Sequence, residues 1–279
     1  MITNLGFIAN YQCKSLSSGP YNSYELIADK YDYIMNSENP TQHHDYKDFI
    51  KSIAYFIQVA SSNVNLDQVN PLVEKQIRKD APLIIKFLKS KNFNFEPVKK
   101  LILQDAYMSQ SALIYWNNRL KEESSKMLRK DYKEEIKFQQ KNYYSCLIAI
   151  NNLSNISNEY NEMFSLTDEV FSLKESIAKL GTKSNNLLLS AKRKAQQQLL
   201  KIKTQKLTKL VKKMGLTQTK LKDIINSKVE SSVLQEALTM GESGKDITKV
   251  QEQAMIEKYK DKYSSLLNLT LDKSVAIEV

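Results

Sequence analysis

Residues 97–120 read PVKKLILQDAYMSQSALIYWNNRL, and this stretch decides the fold class. Its proline suits the first turn of a helix, where the missing N–H would have no intrahelical partner. Apolar residues then recur at every seventh position, at Ala106, Leu113, Leu120 and Met127. Because seven residues make about two helical turns, these side chains share one helix face. Neither Gly nor Pro follows before Gly181, so the pattern predicts long helices.

The rest of the chain has the same helical character. Among 279 residues there are six Gly and five Pro, and every proline lies within the first 97 positions. Chains with so few turn residues are usually built from helices with short connections. We therefore predict an all-α protein in two parts: a compact N-terminal part of short helices, 1–96, and an elongated long-helix bundle, 97–279.

Local signals place the individual helices. The helix that begins at Pro97 has no stop signal before Asn151, and some fifty helical residues would span about 75–80 Å, so we expect this helix to be bent, broken near 121–133, or part of an elongated bundle. The chain should reverse in the Asn- and Ser-rich stretch 151–162. Proline or capping signals predict helix starts at Pro71, Pro82 and Ser227. The remaining helices are predicted at 24–35, 42–60, 161–180, 184–214, 218–226 and 246–271.

Charge is concentrated in one segment. Between Lys183 and Lys222 there are twelve Lys or Arg and no Asp or Glu, although the whole chain carries a net charge of only +10. A solvated helix face usually mixes signs, because like charges four residues apart repel. The pattern predicts that helix 184–214 binds a polyanion. The alternative is an idle solvent face, or one neutralised by acidic helices elsewhere.

The candidate partner of this basic helix is nucleic acid or another polyanion. An anionic membrane surface, a helical protein partner or a second copy of the chain would also suit it. The segment 183–222 contains no aromatic residue, which counts against base stacking and against aromatic membrane anchoring. The candidate polyanion-binding residues are Lys192, Arg193, Lys194, Lys201, Lys203, Lys206, Lys209, Lys212 and Lys213.

An apolar stripe also runs along the basic helix. It is formed by Leu188, Ala191, Ala195, Leu199 and Ile202, and it continues with a drift through Leu207, Leu210, Val211 and Met214. Together with the lysines, this stripe makes the helix amphipathic. The segment therefore also fits a membrane-active or secreted effector protein, or an architectural subunit of a virion or coiled-coil assembly.

The segment LVKKMGLTQTKLKDIIN, 210–226, supports two interpretations. As a helix-turn-helix centred on Gly215, it would present Gln218, Thr219 and Lys222 to base edges. As an ordinary junction, Gly215 ends one helix and Thr217 caps the next. The junction is the simpler interpretation, because the preceding helix is unbroken for some thirty residues.

Residues suited to catalysis are scarce. The two histidines are adjacent in His43-His44-Asp45, where a surface position near a helix start is expected. The apolar sequence around Cys146 is typical of an inert buried thiol. We therefore predict a non-enzymatic structural or adaptor protein without cofactor or metal.

The sequence lacks the features of a secretory or membrane protein. The N-terminal residues do not resemble a signal peptide, and no run of about 18 apolar residues occurs. A cytoplasmic location is the default expectation. Signal-less secretion and a virion location are equally compatible with these features.

Overall fold

The structure is a computed structural model of the chain, and it describes residues 19–61, 71–180, 187–242 and 247–271. Over these residues the chain forms nine α-helices, one 3-10 turn and no strand, so the all-α prediction is confirmed. No helix in these ranges is both long and apolar enough to cross a lipid bilayer. The helices are α1 Tyr24–Met35, α2 Tyr46–Ser61, α3 Pro71–Ser90, α4 Glu96–Glu122, α5 Lys126–Ser154, α6 Glu159–Lys179, α7 Leu187–Met214, α8 Gln218–Glu242 and α9 Lys249–Leu271.

The chain divides into two compact units. Unit 1 comprises Met1–Ile156 and Glu230–Ile256, and unit 2 comprises Ser157–Val229 and Glu257–Val279. Helices α8 and α9 therefore contribute residues to both. The boundary that the sequence predicts after residue 96 stays a prediction. The helices after that residue are longer than those before it: α1–α3 have 12 to 20 residues, and α4–α9 have 21 to 29.

An antiparallel hairpin of α4 and α5 is central to unit 1. The long helix is interrupted after Glu122, inside the interval where a break was expected. The Arg129 guanidinium closes this turn, because it donates hydrogen bonds to the carbonyl oxygens of Leu120 at 2.8 Å and Glu123 at 2.9 Å. Fully buried side chains fill the core between these helices and α1–α3: Ile27, Ile34, Phe49, Ile53, Ile57, Ile84, Leu88 and Ile102.

Unit 2 is built from α6, α7, the start of α8 and the end of α9. Helix α5 ends at Ser154 and α6 begins at Glu159, so the connection between them falls within the stretch 151–162 where a helix end was predicted. Phe164 of α6 packs edge-on against Tyr263 of α9, with ring centroids 5.6 Å apart. The Tyr263 hydroxyl donates to Asp168 at 3.0 Å, so this buried phenol is hydrogen-bonded within unit 2.

The prediction that a new helix starts at Pro82 is wrong. Helix α3 begins at Pro71 as expected, but it continues through Pro82 to Ser90. Its buried residues Ile77, Ala81, Ile84 and Leu88 follow steps of four and three residues on both sides of the proline. Burial of this continuous stripe stabilises the helix across a position where proline costs about 3 kcal/mol.

Two further helix starts differ from the predictions. Helix α8 runs without interruption through Ser227, so neither the short helix 218–226 nor the capping box at Ser227 exists. Its buried positions Leu221, Ile225 and Val229 continue one face across that serine, and tertiary burial outweighs the local capping signal. Helix α2 begins at Tyr46 rather than residue 42, because a 3-10 turn occupies Pro40–Gln42.

Candidate polyanion-binding site

The candidate site lies on helix α7, whose nine basic residues are accompanied by no acidic residue. The helix ends as the simpler interpretation predicts. Gly215 has φ +61°, the left-handed conformation that glycine adopts at helix ends. The Thr217 hydroxyl then accepts from the backbone N–H of Lys220 at 3.3 Å and caps α8. The predicted start at residues 184–186 lies outside the described residues.

Acidic α6 neutralises part of this charge. Residue numbers fall along α6 as they rise along α7, so the two paired helices are antiparallel. Hydrogen bonds to the α6 carboxylates, together with their negative charge, raise the pKa of Lys206 and Lys213. Three of the nine candidate residues therefore form ion pairs with acidic residues of α6. The pairs are Lys203–Glu169 at 2.6 Å, Lys206–Glu162 at 2.8 Å and Lys213–Glu159 at 2.6 Å.

Four other lysines of α7 form what we call the lysine row: Lys194, Lys201, Lys209 and Lys212. All four are exposed, and among the residues that the structure describes none of them forms an ion pair. At 100° per residue they fall within about 80° of one another around the helix, so they share one face. The row presents four positive charges along about 27 Å of helix, without an internal counter-charge.

Uncharged polar side chains alternate with the lysine row. Gln197, Lys201, Gln205 and Lys209 follow one another at four-residue steps, the spacing of surface neighbours on a helix. Lys201, Gln205 and Lys209 also line one shallow recess, together with Thr204 and Thr208. The glutamines were not among the predicted site residues, although the same helical spacing would have found them.

The remaining candidates on α7 lie elsewhere. Lys192 is exposed but points about 160° away from Lys194 around the helix. Arg193 is half-buried and interacts with other residues of the protein. Neither side chain belongs to the lysine row.

The apolar stripe of α7 divides into two halves. Leu207, Leu210 and Val211 are buried, as expected for a face packed on the core. In the N-terminal half, by contrast, Leu188 is 80% exposed and Ile202 is 60% exposed. An exposed apolar strip, formed by Leu188, Ala191, Ala195, Leu199 and Ile202, therefore runs beside the lysine row.

The predicted base-reading residues lie at the start of α8. Gln218, Thr219 and Lys222 are all exposed, whereas Leu221 is buried between them. The helices on either side of the junction have 28 and 25 residues, far longer than the short pair of a helix-turn-helix. A role of these three residues in reading bases stays a prediction.

Unit 1 contains a buried polar cluster that the sequence did not predict. The Asp105 carboxylate accepts from the side-chain amides of Gln58 at 2.6 Å and Asn142 at 3.0 Å, and from the Cys146 thiol at 3.4 Å. Burial, followed by the charge of Asp105, raises the pKa of Cys146 well above its ordinary value. The thiol is fully buried, as predicted, and the raised pKa favours its protonated form.

His43, His44 and Asp45 lie at the surface just before α2, as predicted. Their ligand atoms are within 4.8 Å of one another. The Nδ1 atom of His43, however, accepts from the Asp45 backbone N–H at 3.1 Å, and Lys30 approaches the Asp45 carboxylate at 3.5 Å. The contacts within the protein explain this cluster.

Comparison with known proteins gives no relative of this chain: no protein-family model, curated protein or solved structure matches it.

Proposed function

We propose that this protein is a non-enzymatic helical adaptor that binds nucleic acid through the lysine row of α7. The observation that carries the proposal is the contrast within α7: Lys203, Lys206 and Lys213 pair with α6, while the lysine row faces solvent. Like charges on one helix repel, and a phosphate backbone would relieve that repulsion and release its counterions.

The test is a binding titration of a quadruple variant, Lys194→Gln, Lys201→Gln, Lys209→Gln and Lys212→Gln. Glutamine keeps helix propensity close to that of lysine while removing the charge. Four lost phosphate contacts should weaken nucleic-acid binding at least a hundredfold at low salt. Circular dichroism should show the helix content of the parent, because these side chains make no internal ion pair among the described residues.

A matched control removes the same number of charges from unit 1. Its substitutions replace exposed lysines of α4 and α5 with glutamine, at Lys121, Lys126, Lys133 and Lys137. This control should bind nucleic acid within about twofold of the parent. If both variants lose affinity equally, net charge rather than the lysine row governs binding. If the α7 variant binds as the parent does, the row is an idle solvent face.

A second candidate function is binding to an anionic lipid surface, and the exposed apolar strip of α7 favours it. A basic helix that lies at a membrane interface buries apolar side chains beside its lysines, and Leu199 and Ile202 are 43% and 60% exposed. Replacing these two residues with Gln should abolish binding to anionic vesicles and leave nucleic-acid binding unchanged. If the parent binds vesicles and not nucleic acid, this second function replaces the first.

A helical protein partner or a second copy of the chain could cover the same strip. Sedimentation velocity of the parent and of the Leu199→Gln, Ile202→Gln variant separates self-association from the two functions above. A dimer that dissociates on substitution would support an assembly role for α7.

A further inference from the structure

Unit 1 contains a groove that the proposed function does not use. It lies between the C-terminal ends of α2 and α5 and the second half of α3, and its volume is about 540 Å³. Clefts of about 300–1,000 Å³ with a mainly apolar lining and a few polar groups are typical binding sites for small molecules. The groove therefore has the size of a small-molecule site, and its lining indicates the class of ligand.

The floor of the groove is apolar. Ile57 of α2, Ala81 of α3 and Leu153 of α5 are each at most 2% exposed, so all three helices contribute to it. Ala60 and Ile85 are half-buried and leave apolar surface open to the groove. A ligand with an apolar chain would remove this surface from water, which favours its binding.

The charge of the groove is positive and lies on one wall. Lys86 and Lys89 of α3 line it; both are exposed, and neither forms an ion pair with a residue that the structure describes. No Asp or Glu of the described chain lines the groove beside them. The two lysines are three residues apart, so they are neighbours on the helix surface and their like charges repel. One carboxylate bound between them would relieve that repulsion.

The helix ends at the groove determine the orientation of such a ligand. Helices α2 and α5 both end there, and the Asn152 amide joins the two ends by donating to the Ser61 hydroxyl at 3.3 Å. Because the C-terminus of a helix carries a partial negative charge, it disfavours an anion. The carboxylate therefore belongs at the α3 wall, and the apolar chain belongs over the floor between α2 and α5.

We infer that this groove binds a medium-chain fatty acid, with its carboxylate between Lys86 and Lys89 and its alkyl chain along the apolar floor. The inference is independent of the proposed function, which concerns α7 in unit 2.

The experiment titrates the full chain with decanoate and with decanol, which has the same alkyl chain and no charge, by isothermal titration calorimetry. Decanoate should bind at one saturable site per chain. A double variant, Lys86→Gln and Lys89→Gln, should bind decanoate about fivefold more weakly, the order expected for exposed ion pairs, and should leave decanol binding unchanged. Absence of saturable decanoate binding to the parent, or an equal loss for both ligands in the variant, would overturn the inference.

Three further variants test the location of the site. Lys75→Gln with Lys79→Gln removes two exposed charges of α3 outside the groove and should bind decanoate as the parent does. Leu199→Gln with Ile202→Gln, on the exposed apolar strip of α7, should do the same. Ala60→Phe adds a side chain to the groove and should abolish binding of both ligands, with circular dichroism as the check on folding.

Loss of decanoate binding in either control variant would place the site elsewhere and overturn the inference. Unchanged binding in a folded Ala60→Phe variant would do so too. If Ala60→Phe does not fold, the comparison of the α3 lysine variants decides the question, because all of these lysines are exposed.

Discussion

Gly215 shows how one residue ends α7. Its φ of +61° lies in the left-handed region, which costs a residue with a Cβ about 1–2 kcal/mol. A Cβ added there would meet nothing within 4 Å, so the cost of substitution is conformational and not steric. We expect Gly215→Ala to lower the free energy of unfolding by about 1 kcal/mol, measured by urea denaturation. Gly215→Asn should lower the free energy of unfolding less than Gly215→Ala does, because asparagine tolerates this conformation better.

Cys146 carries a prediction about pH. Its pKa is raised in the folded protein, chiefly by burial, so the folded state holds the thiol proton more tightly than the unfolded chain. The resulting stability is complete below the ordinary thiol pKa of about 8.5 and is lost as pH rises above it. In a Cys13→Ser background, a disulfide reagent should label Cys146 only on unfolding. Fast labelling of the native protein at pH 8 would contradict this account.

Pro82 carries a prediction at the scale of one helix. Its ring removes a backbone hydrogen bond from the interior of α3. Pro82→Ala should restore that bond and raise the free energy of unfolding by about 1–2 kcal/mol, after allowance for the larger entropy of the unfolded chain. Pro97→Ala is the control, because Pro97 lies in the first turn of α4 where no bond is missing. If the two substitutions change the free energy of unfolding equally, the position of Pro82 in the helix interior does not determine its cost.

Helix positions were predictable where local chemistry decides them. The sequence predicted α1 at its observed bounds and the junction at Gly215, because amphipathic spacing and caps act within a few residues. It failed at Pro82 and Ser227, where a stripe buried by distant helices overrides a local stop signal. The spacing of residues along one helix says which side chains share a face, but it does not say which face a neighbour covers.

The candidate site was also predictable from the sequence only in part. The excess of lysine on α7 is visible in the sequence, and so is the absence of aromatic residues. The division of the lysines depends on the register of α6 against α7, which sets Lys206 beside Glu162 and leaves Lys201 exposed. That register comes from packing between two helices, and the sequence of either helix alone does not contain it.

At the scale of the whole molecule, charge is distributed unevenly. Twelve of the 41 basic residues lie between Lys183 and Lys222, so the remaining 29 are outnumbered by 31 acidic residues. Polyanions should therefore be attracted to this segment and not to the protein as a whole. Salt dependence distinguishes a local contact from general attraction, because its slope counts the phosphates that are neutralised.

The last prediction concerns that slope for duplex DNA. If the four lysines of the row each neutralise one phosphate, the logarithm of the binding constant should fall with the logarithm of salt at a slope of about −3.6. Affinity would then drop on the order of 10²-fold between 50 and 200 mM salt. Replacing one, two and four lysines of the row with Gln should reduce the slope by about 0.9 for each. The control at Lys121, Lys126, Lys133 and Lys137 should keep the parent slope; if its slope falls as steeply, the contacts are not localised on α7.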